Sequence, residues 1–254
     1  MTRETENSRD FWNLLAGQSG QAAAIDPRDS RGLKNAYISR VRDAAILESL
    51  ESMPSSTSVL DFGSGTGTFL SKLRSLYPEF LATGTDISLV MLRHAVARDP
   101  ALAGSLFLYD GEALPIKSES LDVITTGGVL LYFREEEDFI RICREFQRVL
   151  RPGGQVIAVE QVCRRTRTDA RNMKVQRSPE EFQRLFEKCG FRSVSWRQLR
   201  RARFPLVYAI RYGLVPRSLH GIIARLEGWL WSGPRLPRLD YADAVFRFVK
   251  DAHD

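Results

Sequence analysis

Apolar residues recur at Leu33, Tyr37, Val41, Ala44, Ala45, Leu47 and Leu50, the spacing of a helix with one buried face. The stretch 54–58, opened by Pro54, breaks that pattern. Short apolar runs then alternate with amphipathic ones. Ser58–Phe62 reads as a strand that runs into glycines, Thr68–Leu76 as a helix stopped before Pro78, 80–86 as a second strand and Leu89–Arg98 as a helix. Third and fourth strands are expected over 106–110 and 121–126. An amphipathic helix follows over 135–150, ended by Arg151-Pro152-Gly153-Gly154, and then a fifth strand over 155–160. This β-α-β-α order predicts an α/β fold, a parallel sheet with helices on both faces.

After Glu160 the rhythm changes. Ser178-Pro179-Glu180-Glu181 reads as a helix start, with Ser178 as N-cap, Pro179 at the first helical position and Glu181 three residues beyond the cap. That helix should end at Gly190, before a sixth strand over 191–199; a last strand is expected over 242–249. The intervening 204–239 is rich in aromatics, prolines and arginines and reads as an inserted cap. Residues 1–32 show no clear period beyond 11–15, and 26–32 reads as a loop.

Composition narrows the class. A chain of 254 residues suits one medium domain, or one domain with an added cap. No apolar run approaches the ~18 residues that span a bilayer. The polar start, without an apolar stretch or cleavage site, leads us to expect a cytoplasmic protein. Cys143, Cys163 and Cys189 are scattered, without zinc or CxxC spacing, so no metal is expected. The net charge of +6 is uneven: 164–217 holds fifteen Lys/Arg against four Asp/Glu. A block bias of that kind suggests either a solvated arginine-rich face or an anionic partner.

The strongest local signal is Val59-Leu60-Asp61-Phe62-Gly63-Ser64-Gly65-Thr66-Gly67. Glycines allow positive φ and close approach of a ligand to the backbone, and the following helix offers free N–H groups. Alone such a turn is weak evidence, because dinucleotide enzymes use a related one. Here an acid stands two residues before the first glycine. Asp86 ends the next strand, where a carboxylate can take both hydroxyls of a ribose, and Asp110 ends the third. Three acids at successive strand ends face the crevice in which open α/β sheets bind ligands.

The segments VLDFGSGTGTFL, GTDIS, LYDGEALP, LDVITTGGVLLYF and RVLRPGGQVIAVE together resemble the successive motifs of class I S-adenosylmethionine-dependent methyltransferases, particularly the UbiE/type 11 group. The resemblance covers roughly 58–160. It implies a Rossmann-like seven-stranded sheet of order 3-2-1-4-5-7-6 with strand 7 antiparallel. It implies an N-terminal helical lid over 1–50 and a methyltransferase domain over 51–254, with the cap insertion at about 204–240. It implies S-adenosylmethionine as cofactor. Carried over residue by residue, Gly63, Gly65 and Gly67 would line its methionine and ribose part, and Asp61 would help hold its amino group. Asp86 would take the ribose hydroxyls with Ile87 against the adenine. Asp110 would bind the adenine amino group beside Gly111 and Glu112. Thr126 and Gly127 would sit near the methionine moiety, and Arg40, with Tyr37 on the same lid helix, could pair with its carboxylate.

One departure concerns catalysis. The stretch after the fourth strand, Gly127-Gly128-Val129-Leu130-Leu131-Tyr132, supplies no histidine, and no Asn-Pro-Pro-Tyr motif is present. Candidate bases or pocket residues are therefore Glu160, Tyr132 and His220. His94 and His253 are weaker candidates. Arginines mixed with Phe204, Tyr208, Tyr212, Trp229 and Trp231 suit anionic sugars, nucleic acid or a membrane surface. The leading expectation is methyl transfer to a hydroxyl or phosphate of an anionic glycan or glycolipid acceptor, with peripheral membrane contact through this basic aromatic part. A small natural product or quinone-type metabolite comes next. Nucleic acid comes last, since no RNA-binding module is appended. Two other classes compete: an inactive methyltransferase-like scaffold, and an NAD-dependent oxidoreductase. The latter would need a Gly-x-Gly-x-x-Gly turn and a Tyr-x-x-x-Lys pair that the chain lacks.

Overall fold

The computed structural model describes residues 3–19, 26, 29, 31–169, 173–202, 204–231 and 241–251. Two helices, α1 (Arg3–Ser19) and α2 (Leu33–Leu50), precede an alternating run: β1 (Ser58–Phe62), α3 (Thr68–Leu76), β2 (Leu81–Asp86), α4 (Leu89–Arg98), β3 (Leu106–Leu108), β4 (Leu121–Gly127), α5 (Glu136–Val149) and β5 (Leu150–Val162). Then come a small hairpin of β6 (Arg167–Asp169) and β7 (Lys174–Gln176), α6 (Pro179–Glu187), β8 (Phe191–Arg201), α7 (Pro205–Arg211), α8 (His220–Trp231) and β9 (Ala242–Lys250).

The main sheet has the order β3-β2-β1-β4-β5-β9-β8. β1 to β5 pair in parallel, and β9 runs antiparallel to both β5 and β8. With β8 and β9 as its sixth and seventh strands, this is the order 3-2-1-4-5-7-6 expected from the motifs. The central strands are buried on both faces, and alternate residues feed two cores. Leu60, Ile124, Val156 and Phe246 pack with Phe139, Phe146, Phe182 and Phe186 of α5 and α6. Val59, Val123, Ile157 and Val245 pack with Ala45, Ile46 and Leu50 of α2, and with α3 and α4. A third cluster seats Phe204, Val207, Ile210 and Ile223 against Tyr37 and Ile38; α7 packs on α2, while α8 lies along the edge strand β8. The expected cap continues into 232–240, which lie outside the described residues.

Several boundaries differ from expectation, each for a local reason. α1 is helical although its composition is mostly polar; it packs against α4, and the Ser88 hydroxyl donates to Asn13 Oδ1 at 2.7 Å. β3 stops at Leu108, two residues before Asp110, whose carboxylate accepts from the Glu112 N–H at 2.8 Å and turns the chain away. β5 begins at Leu150, and its pairing with β4 shifts register between Leu121 and Val123, which accommodates Arg151-Pro152-Gly153-Gly154 within the strand. Ser178 caps α6 as expected, its hydroxyl accepting from the Glu181 N–H at 3.2 Å. No helix among the described residues is long and apolar enough to cross a membrane.

Candidate functional site

Between β1 and α3 the chain turns through three glycines with positive φ: Gly63 at 75°, Gly65 at 53° and Gly67 at 68°. Their tasks differ. A Cβ at Gly63 would collide with the Val129 side chain, and one at Gly67 with Leu102 and Ala95. A Cβ at Gly65 would meet nothing within 4 Å. The first and third glycines therefore let the turn pack against its neighbours, whereas the middle one leaves open space above the backbone. The N–H groups of Gly63 and Ser64 donate to Thr85 O at 2.8 and 2.9 Å, tying the turn to β2. Asp86 joins it to α4, its carboxylate accepting from Gly65 N–H at 2.8 Å and from Ser88 N–H at 2.9 Å.

The open space belongs to a cavity of about 260 Å³ at the carboxyl ends of β1, β2 and β4. Of the residues expected at a cofactor, Asp61, Gly63, Gly65, Asp86, Ile87, Gly111 and Gly127 line it, and Tyr132 lines it as well. Gly67 sits in the packing behind the turn. Asp110 and Glu112 are exposed and do not line the cavity; Tyr109 and Gly111 hold that position. Thr126 is buried behind the wall, and its hydroxyl has no hydrogen-bond partner.

Arg40 is exposed and points away, and Arg42 lines the cavity in its stead. Two positions along a helix turn about 200°, so only one of the two can face inward. Glu160 is also behind the wall. Its Oε1 accepts from Val129 N–H at 3.0 Å and Leu130 N–H at 2.9 Å, while Oε2 is buried without a partner. His220 lies in the cap cluster, edge-on to Tyr37 at 5.9 Å between ring centroids, away from the cavity. Tyr37 itself donates to Glu227 Oε2 at 2.8 Å.

Residues the sequence did not single out complete the lining. Ser39, Asp43 and Ile46 come from α2, Trp12 from α1, Phe133 from the segment after β4, and Asp138 and Arg141 from α5. Trp12 packs edge-on against Tyr132 at 4.9 Å. Helical phase could have found Asp43 and Ile46, since they follow Ser39 and Arg42 around one side of α2. Nothing in the sequence signals Trp12.

The electrostatics favour a positively charged ligand. Burial pushes Asp61 up to about 7, although the Thr125 hydroxyl donates to it at 3.1 Å. Asp86 is raised by burial as well, against the opposing Ser88 and Gly65 N–H groups. Burial likewise takes Glu160 to about 7 and Tyr132 to about 12, so that phenol stays protonated. A buried carboxyl raised in this way gains from any cation placed beside it. Arg42 is already committed on one side: its Nη2 donates to Asp243 Oδ1 at 2.8 Å, and Arg200 Nη1 donates to Asp243 Oδ2 at 2.9 Å. Burial alone would raise Asp243, but these two guanidinium groups hold it below its ordinary range.

These features suit S-adenosylmethionine, which carries an ammonium, a sulfonium and a ribose diol: raised acids on β1 and β2, and an open cradle over Gly65. Residues 59–154 match the family described as "Methyltransferase domain". A demethylmenaquinone methyltransferase from Roseiflexus castenholzii is 40% identical over 114 residues, 44% of this chain and 45% of that protein. A malonyl-[acyl-carrier protein] O-methyltransferase from Methylococcus capsulatus is 36% identical over 41% of this chain and 37% of its own. The matched stretch thus spans less than half the length of these curated relatives.

Among solved structures, geranyl diphosphate C-methyltransferase from Streptomyces coelicolor A3(2) superposes with a TM-score of 0.65 at 14% identity, covering 98% of both chains. The [4+2]-cyclase SpnF superposes with a TM-score of 0.64 at 17% identity, covering 97% of both. At such identities the likeness is one of fold. The core at residues 59–154 thus resembles the methyltransferase domains of the UbiE-like group, and the seven-stranded sheet around it has the Rossmann-like fold of class I S-adenosylmethionine-dependent methyltransferases.

Proposed function

We propose that the protein transfers a methyl group from S-adenosylmethionine to a small, largely apolar acceptor of the quinone type. The observation that carries this reading is the mixed lining of the cavity, which sets the buried acids Asp61 and Asp86 beside an apolar, largely aromatic wall of Trp12, Val129, Tyr132 and Phe133. The bound cofactor supplies an electrophilic methyl group. Asp61 and Asp86 would fix it by charge and by its ribose hydroxyls, with Gly65 giving it room. The aromatic wall excludes water and orients a flat acceptor, which is where most of the rate gain in such transfers resides. Tyr132, protonated at neutral pH, can donate a hydrogen bond to an acceptor oxygen. Glu160 is a positioning residue: it holds the Val129–Leu130 backbone from behind and does not line the cavity.

The names of the relatives support a quinone acceptor over a sugar, since they are demethylmenaquinone, ubiquinone/menaquinone and malonyl-carrier methyltransferases. The basic block gives the glycan reading little help. Arg200, 1% exposed, is ion-paired to Asp243 and lies by Glu227. Arg177 is buried and donates to Phe133 O at 2.7 Å, and Arg197 and Lys188 pair with Glu48 and Glu136. Incubation with methyl-tritiated cofactor and a demethylated naphthoquinol, in parallel with a sugar-phosphate acceptor, tests the proposal. Label is expected in the quinol; label only in the sugar, or none in a protein that binds the cofactor, would refute the acceptor class.

A further inference from the structure

The cap presents an apolar stripe to solvent. On α8 and the turn before it, Leu219, Ile222, Leu226 and Trp229 follow helical spacing and are all exposed, Ile222 by 53%, Leu226 by 45% and Trp229 by 75%. The opposite face of the helix is spent inside the protein. Ile223 packs on α2, and Glu227 accepts from Tyr37 and from the Arg201 N–H at 3.0 Å. Tyr212 and Leu214, in the preceding connection, extend the exposed apolar surface.

Charge decides what covers it. From 204 to 231 the chain holds three arginines, Arg211, Arg217 and Arg225, and one acid, Glu227. That acid is fully buried, whereas Arg217 and Arg225 are exposed, Arg225 next to Leu226 within the stripe. A second copy of the chain would set this patch against itself across a twofold axis, bringing arginine onto arginine with no exposed acid of the same stretch to separate them. An anionic lipid surface satisfies both features. Leucine, isoleucine and tryptophan side chains enter the headgroup–acyl boundary while the arginines meet lipid phosphates.

We propose that the outward face of α8, with Arg217 and Arg225, docks the protein on the surface of an anionic bilayer. The inference rests on α8 and its charges and not on the identity of the methyl acceptor. The helix lies in the interface and does not span it. The inner face of α8 packs on β8 and meets Tyr37 of α2, and α2 walls the cavity, so docking places α2 between the cavity and the docked helix.

Co-sedimentation with vesicles of phosphatidylcholine alone, and of phosphatidylcholine with an equal part of phosphatidylglycerol, tests this with the full chain. Binding to the mixed vesicles only is expected, weakening as salt is raised. The Trp229 emission should shift to the blue on binding, and W229F should bind while losing that part of the shift. Ile222→Ser, Leu226→Ser and Trp229→Ser together should lower partitioning at least tenfold while melting temperature and S-adenosylmethionine affinity stay unchanged. Arg217→Gln with Arg225→Gln should lower it about 25-fold, at about fivefold per arginine, and guards against misfolding of the triple variant. Absence of binding to the mixed vesicles overturns the proposal, as does equal binding by the two variants and the parent. Light scattering that shows a dimer broken by the triple variant assigns the stripe to a second copy, and a lowered melting temperature without vesicle binding assigns it to internal packing. Either result overturns the proposal while leaving the cavity's function untouched.

Discussion

Replacing Gly65 and, separately, Gly63 by alanine separates the role of the cavity from that of the fold. Both residues have positive φ, which costs an alanine about 1–2 kcal/mol relative to glycine. At Gly65 nothing is added to that cost, because the new methyl group meets no protein atom within 4 Å. At Gly63 the methyl group strikes Val129, and overpacking adds ~1–3 kcal/mol. G63A should therefore be the less stable protein. Its melting temperature should lie below that of G65A by roughly 2–4 °C per kcal/mol of difference in a chain of this size.

Cofactor binding should rank the two differently. In the parent, S-adenosylmethionine at about 100 times its Kd should stabilise by about 2.7 kcal/mol. In G65A the methyl group occupies the ligand's space, and a tenfold loss of affinity, about 1.4 kcal/mol, is the least expected. Melting curves with and without cofactor, supported by calorimetric titration, read both quantities. A G65A protein that gains the parent's full ligand-induced shift would show that the cofactor lies elsewhere. Equal stability of the two variants would refute the packing argument.

Other consequences follow from the raised acids. The Asp61 carboxyl, near 7 in the free protein, must lose its proton to pair with an ammonium group. Cofactor affinity should rise from about pH 6 to pH 8 with proton release, and D61N should flatten most of that slope, which titrations in buffers of different ionisation enthalpy would detect. Glu160 binds its proton more tightly in the folded than in the unfolded chain, so it makes stability fall as pH rises from its ordinary 4.5 towards 7. E160Q should lose that pH slope in denaturant melts and keep most of its turnover, whereas complete loss of turnover would make Glu160 a base. Y132F should lower kcat while leaving S-adenosylmethionine affinity within about twofold, a difference of roughly 0.4 kcal/mol; an unchanged kcat would remove Tyr132 from the acceptor's contacts.

Much of the architecture was legible because it is written locally. Strands buried on both faces read as apolar runs, and the glycine turn with its preceding acid marks the crevice. The hairpin of β6 and β7 was not foreseen, since three-residue strands carry no periodicity. Periodicity did not mark α1, because few of its residues are apolar; only the resemblance implied a helical lid there. Arg40 was expected where Arg42 stands, because the sequence gives a helix its period and leaves its rotation against the sheet to packing. That much of the basic block is neutralised within the fold was hidden for a related reason. Arg200, Lys188 and Arg197 find their carboxylates 43, 52 and 149 residues away, beyond any window in which neutralisation could be read.

Hydrogen–deuterium exchange with and without S-adenosylhomocysteine tests most directly whether this cavity holds the cofactor. Bound product should slow exchange at the Gly63–Gly67 turn, at the start of α4 beside Asp86, and along the stretch of α2 from Ser39 to Ile46. The outward face of α8 should be unaffected. Protection confined to other segments, with these three unchanged at saturating ligand, would contradict the account.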